Sequence, residues 1–392
     1  MPDSSDEHYL TTAEVAARLK VKPETVYAYV SRGLLTSTRA RGRRGSLFLE
    51  TDVDRLVGRT VDHPGAIERI ESQLTLITDD DDLYYRGHAV RDLVAGHTVE
   101  SVASLLWTGD LATPDRFPAP PDEVELVRRA MAAAPAGARL TDKLRIAVAV
   151  LGAGDLLRFD LTPDAVTRAA AKLLGVLVAA LPGPSRPAGT FGADLWPKLA
   201  TDSAAPPRPE LLDAAIILLA DHGLAVSTLA ARVAASARAN LYAVVSAGLG
   251  ALDGQLHGAA TSVAYDFLLQ ATDDPVAAVS ARLRTGQAIP GFGHKLYRRR
   301  DPRAELLLDL LGDVPATRTV RTLADQVRGF PNSDVAVAAL MHTYGLRPDA
   351  GEALFALART IGWTAHALEE YAQPALRFRA LGIYTGPDAQ GN

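Results

Sequence analysis

Four short segments of the 392-residue chain carry residue types that can move protons and hold anions. In order they are Ala220-Asp221-His222, Gly254-Gln255-Leu256-His257-Gly258, Gly291-Phe292-Gly293-His294 and Phe330-Pro331-Asn332-Ser333-Asp334. Each sets a titratable or polar group beside a helix end or a Gly/Pro break, where loops present functional groups. Imidazole and carboxylate together suit general acid–base work. The third segment runs on through Arg298, Arg299, Arg300 and Arg303, and the glycines flanking Phe292 let backbone pass close to a ligand. A turn, an imidazole and a cationic cluster suit an anionic substrate. Taken alone, the same stretch reads equally as a structural glycine turn followed by a solvated basic helix start, with Arg299 and Arg300 simply solvated.

Composition narrows the classes. A 48% hydrophobic chain of this length can bury a large core and hold two or three domains. The net charge of -5 gives no general case for nucleic-acid binding, and with no cysteine there are no disulfides or thiolate metal sites. None of the nine histidines pair at metal-ligand spacing, so no metal site is predicted. The acidic, polar start is unlike a secretory or transit signal, and the apolar runs are too short and interrupted to span a bilayer. A cytoplasmic protein without membrane contact is the expectation.

Residues 1–8 read as a disordered tail and 9–58 as a unit of their own. Thr11 or Thr12 caps a helix with Glu14 in its first turn. Pro23 opens a second helix to about Ser31. Segments 34–38 and 46–49 form a β-prone pair, and Asp52 caps one more short helix. Five arginines (Arg32, Arg39, Arg41, Arg43, Arg44) and no acid lie between Thr25 and Leu49. Two helices and a basic hairpin resemble the winged helix-turn-helix of the MerR and excisionase type. Those arginines would meet phosphates while the second helix enters a major groove. Packing or dimerisation is the alternative use.

From Ala66 the chain is mostly helical. Leu74–Ile77, the acidic run Asp79–Asp82 and Leu83–Tyr85 predict a short hairpin. Thr162, Pro163 and Asp164 predict a capped helix start leading into a deeply buried helix over 165–181. Proline-rich breaks at 117–121, 181–187 and 205–209 read as surface loops. Helices rich in Ala, Gly and Ser over 224–252 can approach one another closely.

Read together, these segments resemble the citrate synthase family over about Ile70 to Gly386. The motifs that carry the resemblance are Leu83-Tyr84-Tyr85-Arg86-Gly87, Val102 to Leu111, Leu256-His257-Gly258, Gly291-Phe292-Gly293-His294 with Asp301-Pro302-Arg303, and Arg359-Thr360-Ile361-Gly362-Trp363-Thr364-Ala365-His366 followed by Glu369 and Arg377-Phe378-Arg379. The resemblance implies a mainly α, two-domain dimer. Its large domain would cover 66–257 and 345–386, and its small domain 258–344. It implies an acyltransferase that condenses acetyl-CoA with oxaloacetate and hydrolyses the citryl thioester, with no cofactor beyond the acyl-CoA substrate. Asp334 would be the base, His257 the donor to the enol oxygen and His294 the group polarising the acceptor ketone. His222, Arg303, Arg359 and Arg377 would bind the acceptor, with Arg377 reaching the partner subunit's site. Ile289, Pro290, Gly291 and Arg298 match positions that hold CoA.

The chain departs from the family pattern beside these residues. Asp221-His222-Gly223-Leu224-Ala225 lacks the usual glutamate and asparagine, and Gly258-Ala259-Ala260-Thr261-Ser262 replaces Gly-Gly-Ala-Asn-Glu. Charged or amide groups have become apolar or small, which leaves open another 2-oxo acid, or propionyl-CoA as in 2-methylcitrate synthase. A regulator of transcription, in which a synthase-like domain senses metabolites for a DNA-binding module, is the rival reading.

Overall fold

The computed structural model describes residues 8–19, 21–31, 34–39, 45–54, 70–112, 115–184, 189–201 and 205–378. By contacts the chain divides into one unit of Met1–Ile70 with Leu376–Asn392 and a second of Glu71–Ala375.

In the first unit, β1 (Tyr9–Thr11) leads into α1 (Thr12–Arg18), then α2 (Pro23–Ser31), β2 (Ser37–Arg39) and β3 (Ser46–Leu49). Thr11 is the cap of α1 and forms a capping box with Glu14, so two orphan helix-end donors are satisfied reciprocally. The sheet order is β1-β3-β2, antiparallel, with Tyr9 opposite Leu49 and Thr38 opposite Leu47. The hairpin was legible in the sequence; β1, which completes the sheet, was not. Asp52 stands in the first turn of the following helix and not before it, because that helix begins at residue 50. Val15, Val26, Leu35, Phe48 and Val53 close a small core.

The second unit opens on a meander of β4 (Thr75–Ile77), β5 (Leu83–Tyr85) and β6 (His88–Ala89). The acidic run forms the β4–β5 turn, as its pattern predicts. Helices α3 (Val90–Gly96), α4 (Val99–Thr108), α5 (Pro121–Ala132), α6 (Leu140–Gly154) and α7 (Pro163–Ala180) follow. Pro163 opens α7 and Asp164 stands in its first turn, but Thr162 gives it no side-chain cap. The Thr162 hydroxyl donates to Asp160 Oδ1 instead, at 2.7 Å. The 117–121 break is no plain surface loop. Phe117 packs against the core, and its carbonyl lies where only Gly175 of α7 leaves room.

Next come α8 (Phe191–Leu199), α9 (Pro209–Leu219), α10 (Val226–Ser236) and α11 (Leu241–Leu252). A group of α12 (Ala260–Asp273), α13 (Pro275–Arg284), α14 (Pro302–Leu311), α15 (Pro315–Gln326) and α16 (Ser333–Tyr344) precedes α17 (Ala350–Tyr371). In that group α12 packs on α16, α13 and α15, and α14 packs on α16. Helix α17 is the axis of the unit. It touches α4, α6, α7, α9, α10 and α11, and it is buried without a break from Ala350 through Ala367. A helix buried all round has no solvent face on which to place charge. Its charged and titratable residues, Glu352, Arg359, His366 and Glu370, therefore need partners or a ligand.

Small residues set how closely α17 is approached. A Cβ on Gly248 of α11 would come within 2.6 Å of the Trp363 ring, which has no free end to swing away. Gly248→Ala is expected to destabilise the unit by about 1–3 kcal/mol through overpacking, despite the higher helix propensity of alanine. The midpoint of urea unfolding measures it.

Candidate active site

The four segments named in the sequence converge in the second unit. His222 follows the last turn of α9, which is held from below. The Tyr85 hydroxyl on β5 donates to the carbonyl of Asp221 at 2.9 Å, and the Asp221 carboxylate accepts from Thr75, from His366 Nε2 at 3.1 Å and from the amide of Gly223 at 3.1 Å. Arg232 Nη1 donates to His366 Nδ1 at 2.8 Å and to Glu369 at 2.7 Å. A guanidinium cannot accept, so His366 carries its proton on Nε2 and passes the bond to Asp221. His366 and Glu369 of the terminal signature thus serve to aim His222.

His222, His294 and Tyr297 form a cluster, with ring centroids 5.0 Å apart for the two histidines and 5.2 Å for His222 and Tyr297. The Tyr297 hydroxyl meets His222 Nε2 at 2.9 Å. His294 Nδ1 accepts from the amide of Leu296 at 3.0 Å, so neutral His294 presents Nε2–H as a donor. Burial and the nearby arginines push His222 well below the ordinary histidine range, and His294 to about 4.

The loops bearing His294 and Asp334 are joined by backbone. Gly293 N donates to the Phe330 carbonyl at 2.7 Å, Asn332 N to the Gly291 carbonyl at 2.9 Å, and Asn332 Nδ2 to the Gly293 carbonyl at 3.0 Å. Gly291 has φ +82° and lies so close to α16 that a Cβ would meet Val335 at 2.5 Å, so both conformation and space require glycine. Asn332 caps α16, and Asp334 stands in its first turn. Asp334 Oδ1 accepts from the Thr261 hydroxyl at 2.7 Å. Burial pushes the Asp334 pKa up, with Thr261, Arg303 and Arg359 working against it.

His257 sits in the turn between α11 and α12. Its Nε2 meets the buried Ser227 hydroxyl of α10 at 2.7 Å, and its ring stands edge-on to Phe355 of α17 at 5.7 Å. Burial, then the field of Arg359, lowers His257 to about 4. The three histidines are therefore neutral at pH 7.

Arg303 and Arg359 lie 3% and 2% exposed, and they differ in one respect. Arg303 gives Nε and Nη2 to the two oxygens of Asp301 at 2.9 and 2.7 Å, and Asp301 also accepts the amide of Ser333 at 3.1 Å. One carboxylate thus ties the first turns of α14 and α16 together. Arg359 Nε and Nη1 are buried with no hydrogen-bond partner, its guanidinium lying 4.6 Å from the centre of the Phe355 ring. Burial lowers its pKa to about 10. A buried guanidinium with two unbonded nitrogens is expensive, and the field of the Asp221 carboxylate offsets only part of that cost.

Arg299 and Arg300 are not merely solvated. The acidic β4–β5 turn meets them: Arg299 pairs with Asp80 at 2.7 Å, and Arg300 with Asp82 and with Glu305. At its centre Asp81, 1% exposed, accepts the consecutive amides of Arg298, Arg299 and Arg300 at 2.9, 2.7 and 3.3 Å. Arg298 itself is exposed, 3.8 Å from Asp79. Ile289 packs against the core, while Pro290 is half-buried. Arg377 belongs to the first unit, where it stacks over Phe378 at 5.1 Å. Arg32, Arg41, Arg43 and Arg44 and the side chain of Arg39 lie outside the described residues.

Ser227, Tyr297, Thr261, Asp301 and Asp81 were not picked out by sequence reasoning. Asp301 lay inside the Asp301-Pro302-Arg303 motif, and Tyr297 just before Arg298. Thr261 and Ser262 counted among lost polar groups, yet their hydroxyls bond Asp334 and Glu352 at 2.7 Å each. A separate cavity of about 740 Å³, lined by Phe117, Val178, Phe191 and Lys198, holds none of these residues. The Lys198 ammonium there is bound by the carbonyls of Leu181 and Gly183.

Comparison with known proteins agrees with this geometry. Residues 66–379 match the family model described as citrate synthase, C-terminal domain, and residues 9–60 match a helix-turn-helix domain. Citrate synthase 2 of Bacillus subtilis is 29% identical over 79% of this chain and 92% of its own length. The 2-methylcitrate synthase of Mycobacterium tuberculosis is 30% identical over 84% of this chain and 90% of its own. The crystal structure of citrate synthase from Thermotoga maritima superposes with a TM-score of 0.67 at 25% identity, covering 84% of this chain and 97% of that one. The chain belongs to the citrate synthase family, and it is an enzyme of that type preceded by a helix-turn-helix domain.

The two arginines predict opposite responses. Asp301→Ala strands the Arg303 charge and is expected to cost about 3–5 kcal/mol of stability. Arg359→Met removes a buried charge with two unbonded nitrogens, compensated only by the field of Asp221, and should leave thermal stability unchanged or raise it. Calorimetric melting of the unliganded variants checks both.

Proposed function

We propose that residues 71–375 condense an acyl-CoA with a 2-oxo acid, the first choice being acetyl-CoA with oxaloacetate and water to give citrate and CoA. The observation that carries the reading is the buried Arg359 guanidinium with two unbonded nitrogens, set among three neutral histidines and a carboxylate of raised pKa. A thioester methyl is a very weak carbon acid, so its proton leaves only if the enol oxygen gains a donor at the same moment. Asp334 takes the proton. With the Ser227 hydroxyl donating to Nε2 of His257, the other ring nitrogen of His257 donates to the enol oxygen. His294 Nε2–H polarises the acceptor ketone as the carbon–carbon bond forms, and the alkoxide takes its proton. Water then hydrolyses the thioester and releases CoA. This chemistry calls on no metal.

Arg359 holds an acceptor carboxylate, because a planar guanidinium can take two oxygens at once. His222 and the free edge of Arg303 complete that end of the site. Exposed Arg298 suits CoA phosphates, and Ile289-Pro290-Gly291 the adenine. Val226, Leu229 and Val233 of α10 are 70%, 40% and 44% exposed, an apolar face that favours a homodimer. Domain closure of 258–344 over the substrates belongs to the same reading. The relative named 2-methylcitrate synthase keeps propionyl-CoA as the alternative donor, since one methylene is worth only about 1–3 kcal/mol of discrimination.

Asp334→Ala is expected to lower the rate about 10²–10⁴-fold and His257→Ala about 10²–10³-fold, with unchanged circular dichroism. Free-thiol release from acetyl-CoA plus oxaloacetate, with propionyl-CoA and other 2-oxo acids in parallel, measures both. Full activity in Asp334→Ala defeats the reading.

The helix-turn-helix domain carries a second one, in which the enzyme domain reports metabolites to a DNA-binding module in the cytoplasm. Helix α2 exposes Tyr27, and the arginine-rich connection suits phosphates. Operator affinity is expected to fall with salt by about 0.9 log units per log unit for each phosphate contacted. A genomic-fragment binding screen at low salt that returns nothing leaves the module as packing.

A further inference from the structure

The first turn of α12 departs from the family pattern at Thr261-Ser262, and the departure lands on Asp334. Thr261 is 1% exposed, and its hydroxyl donates to Asp334 Oδ1 at 2.7 Å. Its second branch is held as well. Gly351, in the first turn of α17, lies so near that a Cβ built there would stand 2.5 Å from Thr261 Cγ2. The methyl fills the notch left by that missing side chain. A β-branched residue in a helix has few χ1 choices to begin with, so once the methyl is seated the hydroxyl has one direction left, toward Asp334. Ser262 fastens the same turn to α17 through Glu352, which also takes Arg139 Nη1 at 3.1 Å.

Resting on the reading of Asp334 as the proton acceptor, we infer that Thr261 is a positioning residue for that base: its hydroxyl occupies Oδ1 and leaves Oδ2 to take the proton from carbon. The threonine keeps its own proton throughout. A hydrogen bond donated to a carboxylate favours the ionised form, the form a base needs, and so offsets part of the effect of burial. The charged groups that act on Asp334 are Arg303 and Arg359, which also favour the carboxylate, and Asp301, which opposes it. A small residue where the family carries an amide is thus a functional substitution and not a loss.

Three variants of the full chain test this through the pH dependence of thiol release. Thr261→Val keeps the shape and removes the donor. Thr261→Ser restores the donor, and Gly351→Ala presses on Thr261 and also on the Met341 sulfur of α16. Activity that needs an ionised base rises with pH through the pKa of that base, so a raised pKa carries the acidic limb upward. For Thr261→Val the limb is expected to move up by about one pH unit, the size of one charge-assisted hydrogen bond. Below the limb this is about a tenfold loss, while the alkaline plateau changes less. Thr261→Ser should bring the limb back, and Gly351→Ala should move it the same way as Thr261→Val. A limb in Thr261→Val that coincides with wild type, or one that Thr261→Ser fails to restore, overturns the inference. If Thr261→Val does not fold, Thr261→Ala, which removes the donor without adding bulk, decides in the same two directions. Asp334→Ala run alongside separates the levels. Inactivity there with an unmoved limb in Thr261→Val refutes only the role of Thr261; full activity there refutes the reading beneath it.

Discussion

Two guanidinium groups held out of water set the terms for everything around them. Arg303 and Arg359 are both almost fully buried, and each lowers the pKa of the imidazoles nearby. Charge in such a place must be paired or must wait for a ligand. Arg303 is paired with Asp301, and that pair binds α14 to α16 as a structural rivet. Arg359 keeps Nε and Nη1 without a hydrogen bond, and the field of the Asp221 carboxylate offsets only part of its burial.

The same field helps to keep the three histidines neutral. A protonated imidazole beside two buried cations would add a third positive charge in a medium that screens it poorly. Burial alone lowers these pKa values, and the arginines lower them further. His294 then presents Nε2–H because the amide of Leu296 already fills Nδ1. Neutral donors and a carboxylate of raised pKa narrow the gap between acid and base that enolisation must cross.

Precision comes from backbone more than from side chains. The His294 loop and the Asp334 loop are stitched by hydrogen bonds between Gly291, Gly293, Phe330 and Asn332. On its other side the His294 loop is gripped by Asp81, which collects three consecutive amides and is held below the usual carboxylate range by them, against its own burial. The arginine run and the acidic run, far apart in the chain, are two halves of one clasp. Groups fixed by backbone bonds on both sides lose little geometry to thermal motion, which is what a reaction sensitive to misplacement by an ångström needs.

Much of this was legible in the residues. Local rules gave a threonine cap at Thr11 or Thr12, the proline-opened helices, the acidic hairpin and the loops that carry His222, His257, His294 and Asp334, because each depends on neighbours within a few positions. Order and spacing of those loops also carried the family. The sequence did not reveal what depends on distant neighbours: that Thr162 turns to Asp160, that Asp301 takes the guanidinium of Arg303, or that Arg299 and Arg300 find Asp80 and Asp82. It counted Thr261 as an eroded position, since only α17 passing within a methyl's breadth shows why a threonine there points at Asp334. Residue types determined which chemistry this chain can do. The tertiary structure alone decided which charges are neutralised and which are left open, because burial and partnership are properties of the packed chain and not of any segment of it.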